Sequence, residues 1–240
     1  MKLKPESLAY VLNVVRTAKL VGIDNIIIEP NTVRAMDDAR TVVVFQNEDV
    51  PAMEFNSIGI NRIDVLMARY EIANSTQNFS VEYSTKNEGD SEFATSLILK
   101  GKGTKIDYRC ADPSKINAPR SINDVLRYQV NLTSEAVTLL QKGAAAMAAE
   151  NVSIISNEGV SFELVDVNND VFKHTFADDA QLVPDDDGNV ASTTKFAHRY
   201  PAKTLLALFR SNPEGTFSIG QKGILSFPVN GLTVYVLPQV

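Results

Sequence analysis

At 240 residues and 44% hydrophobic, the chain is long enough to bury one large core or two of about 120 residues each. A formal charge of −6, one cysteine and two histidines argue against a uniformly basic coat, an internal disulfide and a His/Cys zinc site. No stretch approaches the roughly 18 apolar residues of a membrane span, and Pro5 and Glu6 interrupt any secretory pattern, so a soluble, intracellular and cytoplasmic protein is expected.

Leu8, Val11, Leu12 and Val15 recur at helical spacing, which predicts an amphipathic helix over Pro5 to Lys19 with Asn13, Arg16 and Thr17 on its other face. Ile26 to Glu29, Thr32 to Met36 and Thr41 to Gln46 read as strands separated by Pro30-Asn31 and Asp37-Asp38. A second helix, Asn61 to Tyr70, buries Ile63, Leu66, Met67 and Tyr70 and leaves Arg62 and Arg69 on other faces. Strands follow at Phe79 to Thr85, Glu92 to Lys100 and Thr104 to Cys110, with Gly101-Lys102-Gly103 as a tight turn. Cys110 reads as a small buried hydrophobe.

From Ala111 to Asp124 there is no periodicity, and Pro113 and Pro119 mark a connector. A helix over Ser134 to Glu150 has Ser134 near its N-cap and packs Val137, Leu140 and Met147. Alanines at 144, 145, 146, 148 and 149 suit a close neighbour. Strands are expected at Val152 to Ser156, Val160 to Val167 and Val171 to Phe176, then an acidic loop over Asp178 to Asn189. The strand Thr193 to Tyr200, a helix after Pro201, and strands Thr216 to Ile219, Gly223 to Phe227 and Leu232 to Leu237 complete the chain.

The chain repeats itself. Lys2 to Leu8 with Val11, Leu12 and Val15 is echoed 129 residues later by Asn131 to Val137 with Leu139-Leu140, and the helix at 61–70 is matched by 202–209. Two copies of one α+β unit result, over residues 1–110 and 125–240, joined by 111–124. Charge is sorted between the elements. The four helical segments sum to +5 while the chain carries −6, leaving −11 elsewhere. Lysine and arginine on exposed helix faces commonly serve solubility alone; sorting by element instead suits helices that meet a polyanion.

Three stretches add a family resemblance along essentially the whole chain. Val33-Arg34-Ala35-Met36-Asp37-Asp38-Ala39-Arg40 resembles the first-domain hairpin of the DNA sliding clamps. Ala111-Asp112-Pro113-Ser114 with Ala118-Pro119 resembles the connector of the tailed-phage clamps, and Leu232 to Pro238 resembles the closing strand of the proliferating cell nuclear antigen. The resemblance implies a duplicated clamp fold with helices lining a ring and antiparallel sheets outside. It implies a homotrimer of two-domain chains around double-stranded DNA, serving a DNA polymerase and opened by a clamp loader, with no cofactor. Lys4, Arg16, Lys19, Arg62, Arg69, Lys142, Lys203 and Arg210 would then meet DNA without sequence preference. The Ser134 to Glu150 helix, whose single base is Lys142, would contribute least. Met36, Arg40, Ile116, Pro119, Tyr235, Leu237 and Pro238 would form a pocket for a partner peptide, although Met36 and Tyr235 also suit plain core positions. Thr104 to Cys110 and Val171 to Phe176 are the candidate strands for pairing between subunits.

Motifs of catalysis are not found. Lys100 to Lys105 lacks the leading glycine of a phosphate loop, with Ser96 in its place. Asp185 to Asn189 has Val183 where a calcium loop needs its first aspartate, and Asn56-Ser57-Ile58-Gly59 lacks the first glycine of a nucleophile elbow. A non-enzymatic clamp is the leading reading. The alternatives are an oligomeric structural protein that does not encircle DNA, and an enzyme of unrecognised type.

Overall fold

The computed structural model describes residues 1–46, 50–88, 91–119, 121–156, 159–176, 179–184 and 195–239. The chain divides into two compact units, Met1–Ala39 with Val43–Ser121, and Arg40–Val42 with Ile122–Val240.

In the first unit, α1 (Pro5–Leu20) opens with Pro5, whose fixed φ and missing N–H suit a first turn, and buries Val11, Leu12, Val15 and Ala18. It ends in a Schellman motif. Gly22 takes φ 78°, Gly22 N donates to Lys19 O at 3.2 Å, and Ile23 N donates to Ala18 O at 2.9 Å, satisfying carbonyls the helix leaves open. Strands β1 (Ile26–Glu29), β2 (Thr32–Met36), β3 (Val42–Gln46) and β4 (Ile58–Ile60) follow. Then come α2 (Ile63–Asn74), β5 (Ser80–Glu88), β6 (Ser91–Gly101) and β7 (Thr104–Arg109). Within this unit the sheet runs β3-β2-β1-β4-β6-β5, with β7 also paired to β6. Every pairing is antiparallel except the parallel contact of β4 with β6 at Ile58 and Ala94. Alternation along β2 buries Val33 and Ala35, while Ile26, Ile27 and Ile28 are all buried, so both faces of β1, which α1 packs against, are covered.

The second unit begins with β8 (Leu126–Asn131), then α3 (Ser134–Met147), β9 (Asn151–Ser156), β10 (Val160–Val165), β11 (Val171–Phe176) and β12 (Ala180–Leu182). It closes with β13 (Phe196–Pro201), α4 (Ala202–Ser211), β14 (Thr216–Gly220), β15 (Leu225–Val229) and β16 (Leu232–Val236). Its strands form the run β12-β8-β14-β15-β16 and a four-stranded sheet, β11-β10-β9-β13. Asn230 and Gly231, with φ 53° and 77°, make the two-residue turn that joins β15 to β16. A cluster of Phe162, Phe176, Phe209, Phe217 and Phe227 fills the core, its ring centroids 5.2 to 6.2 Å apart. In this unit α3 packs beside α4, as α1 does beside α2 in the first.

Several expectations are corrected. Thr17, expected on the outer face of α1, is fully buried, because a helix pressed by both a sheet and a second helix buries more than one stripe. The second helix runs four residues past Tyr70 to Asn74, burying Ala73, while Met67 and Tyr70 stay half-buried. In α3 the cap is Thr133, whose hydroxyl accepts from Ala136 N at 3.1 Å, and the helix stops at Met147 with Ala148 at φ 45°. Ala145, Ala146 and Ala148 are exposed and Met147 is half-buried; the close approach is at Gly143, where a Cβ would lie 2.8 Å from the Phe172 ring. Strand β10 ends at Val165, with Val167 96% exposed in the turn that follows, and β12 lies inside the stretch expected to be an acidic loop. Half of that stretch, Asp178 and residues 185–189, lies outside the described residues, and so do Thr193 and Thr194 at the expected start of β13.

Candidate nucleic-acid interface

The four helices carry the cations that the sequence singles out. In the first unit most of them are held by protein groups. Lys4 lies 3.6 Å from Glu54, and Lys19 in the last turn of α1 is 2.5 Å from Asp64 on α2. The hydrogen bond that the Lys19 ammonium donates to the Asp64 carboxylate, together with that carboxylate's charge, holds Lys19 above its ordinary pKa. The Lys19–Asp64 pair is exposed on both sides and holds its cation only loosely, whereas Lys4 is an exposed cation set against a largely buried Glu54 carboxylate. Arg16 is exposed and forms no ion pair with another described residue.

Arg62 and Arg69 are engaged differently. Arg62 caps α2 at a left-handed φ of 49°, sits with its guanidinium carbon 5.6 Å from the Tyr108 ring centroid, and donates through Nη2 to Arg109 O at 3.1 Å. Arg69 donates through Nη1 to Asp107 O at 2.8 Å. Tyr108 is fully buried, and its hydroxyl donates to Asn61 O. Burial pushes the Tyr108 phenol up to about 12, against the smaller lowering effects of the Asn61 N–H, which donates to the phenol oxygen at 3.1 Å, and of the two arginines.

In the second unit the cations are less encumbered. Lys203 and Arg210 stand seven residues apart on α4, opposite buried Leu205, Leu208 and Phe209. They line an open depression of about 380 Å³ with Gln141, Ala144, Ala145 and Leu206, in which the alanines of α3 leave the space. No carboxylate lines it, and neither cation forms an ion pair with another described residue. Lys142 is exposed on α3, likewise without an ion pair to a described residue. Two long cations beside a shallow trough of small side chains can admit a phosphate backbone without reading bases. A second depression, of about 320 Å³, is lined by Glu150, Glu163 and Asp166 with Arg199, an acid-rich set unsuited to a polyanion.

The seven expected pocket residues are divided between the units. Met36 ends β2 half-buried, and Pro119 is half-buried. Ile116 follows the 3₁₀ turn Pro113–Lys115, with its Cδ1 3.0 Å from where a Cβ on Gly59 would stand. Asp112 caps that turn by accepting from Ser114 N at 2.9 Å, and Ser114 holds its carboxyl below the usual range. In the second unit, Arg40 is exposed at φ 57° beside Thr41, whose carbonyl accepts from Leu237 N at 2.8 Å. Tyr235 on β16, Leu237 and Pro238 are half-buried, and burial raises the Tyr235 phenol.

Two strands have an open side. Among the described residues β7 pairs only with β6, and β11 only with β10, and each is six residues long. Apolar side chains stand exposed on the neighbouring elements: Val65 and Ile72, which no sequence motif singled out, on α2, which packs on β7, and Leu139 of the repeat on α3, which packs on β11. Val165 and Val171 are exposed at the β10–β11 end. The seven-residue spacing of Val65 and Ile72, off the stripe of Ile63 and Leu66, is the signal that could have found them. Cys110, just past β7, is half-buried, and burial pushes its thiol up to about 12. Among the described residues no group of three or more His, Cys, Asp or Glu could hold a metal, and no helix is long and apolar enough to cross a membrane.

This arrangement is the two-unit fold of the sliding clamps, in which a pair of helices backs onto sheets twice along one chain. The chain is similar to the PCNA of A. fulgidus, in its complex with the C-terminal region of FEN-1, at 16% identity and a TM-score of 0.59, over 100% of this chain and 98% of that one. It is similar to the PCNA of Entamoeba histolytica at 13% identity and a TM-score of 0.59, over 97% and 96% of the two chains. The PCNA of Thermococcus kodakaraensis matches at 13% identity and a TM-score of 0.59, over 99% of both. The chain therefore has a PCNA-like clamp fold from end to end. No family model and no curated protein sequence matches it.

Proposed function

We propose that the chain is a DNA sliding clamp, a non-enzymatic ring of three copies that encircles duplex DNA and tethers a DNA polymerase for processive synthesis. The observation that carries this reading is the clamp fold over the whole chain, at a length of two units. Six such units close a ring in that fold family, so two per chain call for a homotrimer. Closure by β7 of one copy against β11 of the next is favoured by equal strand lengths, by an open side on each, and by exposed apolar residues beside both. Residues 1–110 and 125–240 act as the two clamp domains and 111–124 as their connector. Lys203, Arg210, Lys142 and Arg16 supply loose, sequence-independent phosphate contacts, and Lys4, Lys19, Arg62 and Arg69, already engaged by protein groups, contribute less. Met36, Arg40, Ile116, Pro119, Tyr235, Leu237 and Pro238 take the anchoring residues of a partner peptide, and a separate clamp loader opens the ring on DNA, all inside the cell.

Sedimentation velocity over a concentration series tests the reading. A species of three times 26.3 kDa is expected, followed by retention on circular but not linearised DNA. A monomer at every concentration removes the ring. A trimer whose behaviour is indifferent both to DNA topology and to charge reversal of Lys203 and Arg210 favours an oligomeric structural protein instead.

A further inference from the structure

The arginines of α2 lie on the open side of β7, and a role for them in assembly rests on the ring proposed for this chain. Strand alternation decides which backbone groups face out. The turn at Lys102-Gly103 pairs Gly101 with Thr104, and Cys110 N donates to Thr95 O at 2.9 Å in the same register. Thr104, Ile106 and Tyr108 therefore bond to β6, while Lys105, Asp107 and Arg109 turn their N–H and C=O groups to the open side. Two of those outward carbonyls are the ones the guanidiniums occupy: Arg69 Nη1 to Asp107 O at 2.8 Å, and Arg62 Nη2 to Arg109 O at 3.1 Å. The face of the Tyr108 ring steadies Arg62 in that position.

An added strand runs about 4.8 Å from its neighbour and needs the same outward carbonyls. We propose that Arg62 and Arg69 guard the β7 edge: they compete with the strand of a second copy of this chain for the Asp107 and Arg109 carbonyls, and so set how tightly the ring closes. Charged side chains are a general means of keeping an open sheet edge from pairing indiscriminately. Arg62 is exposed and Arg69 half-buried, so neither is locked in place. The opposite edge lacks the device, since among the described residues no side chain donates to a carbonyl of β11. A subunit guarded on one edge stays soluble when free and forms a ring that can be reopened. The two arginines are positioning residues of assembly, and their commitment to β7 removes them from DNA contact in the free chain.

The test uses the full chain without DNA, so that loss of a phosphate contact has no effect on the readout. Arg69→Gln keeps the helix propensity of the site, and Arg62→Asn keeps a residue that tolerates a left-handed φ. The double variant is expected to self-associate at roughly tenfold lower concentration than the wild type, the scale of the hydrogen bonds no longer competed for. Amide exchange at Lys105, Asp107 and Arg109 should slow in the assembled form. Unchanged or weaker association in a variant with the wild-type melting curve overturns the guard and leaves the ring standing, provided the wild type forms trimers. If neither protein assembles at any concentration, the ring reading fails and the guard with it. If the wild-type ring never dissociates, subunit exchange between two labelled populations replaces the midpoint: slower exchange in the variant supports the guard, equal or faster exchange overturns it. Should Arg62→Asn disturb the start of α2, Arg69→Gln alone decides, at roughly threefold.

Discussion

The two units repeat one arrangement of helices on sheets, yet they dispose of their cations in opposite ways. In the first, Lys4 and Lys19 face Glu54 and Asp64, and Arg62 and Arg69 are spent on backbone carbonyls of β7. In the second, Lys203 and Arg210 line an uncharged trough between α3 and α4 with no ion pair to a described residue. By formal charge the first unit's helices are the more basic, +4 over residues 2–19 and 61–70 against +1 over 134–150 and 201–211. Charge available to a ligand runs the other way. The number of cations on a helix is therefore a poor guide to where a polyanion binds, because a partnered guanidinium must break its contacts before it gains new ones.

The largest expected effect is on DNA retention. Lys203→Gln and Arg210→Gln should each lower the salt slope of DNA affinity by about 1, one phosphate contact per residue, whereas Lys19→Gln should leave it nearly unchanged. Titrations over a range of salt measure this, and an equal loss from Lys19→Gln would erase the contrast between the units. Next in size is Gly143→Ala, whose new methyl would stand 2.8 Å from the Phe172 ring of β11. Thermal melts should show about 1–3 kcal/mol of destabilisation, the usual scale of overpacking, and a neutral result would mean that Phe172 yields freely.

The helix ends sharpen the comparison at a smaller scale. α1 closes on Gly22 at φ 78°, whereas α3 closes on Ala148 at φ 45°. A residue with a Cβ is strained there by about 1–2 kcal/mol, so Gly22→Ala should destabilise by roughly that amount. Ala148→Gly should do the reverse and stabilise by about 0.5–1 kcal/mol, read from the same melts. If both substitutions destabilise, packing around Ala148 outweighs its backbone strain.

Much of the fold was legible residue by residue. β1, β2 and β11 run over the expected residues, because β-rich runs there are bounded by Pro30-Asn31, Asp37-Asp38 and the polar stretch before Val171. The shared face of Lys203 and Arg210 follows from their spacing alone. β4 and β12, three residues each, were missed because they are too short for a period to show. The alanines of α3 misled: small residues allow a close neighbour but do not require one, and Gly143 takes the approach while Ala145 and Ala146 face solvent. Thr17 was misplaced because polarity alone put it outside.

The sequence by itself determined the duplication, the order of the helices and of most strands, and the sorting of positive charge onto helices, since each depends on neighbours a few residues apart or on a repeat visible along the chain. Only the tertiary structure decided which strands keep an open side and which cations are free. Arg69 and Asp107 are 38 residues apart, and Arg62 and Arg109 are 47 apart. No local pattern encodes such contacts, because they exist only after α2 has packed against β7 and brought each guanidinium within reach of a carbonyl.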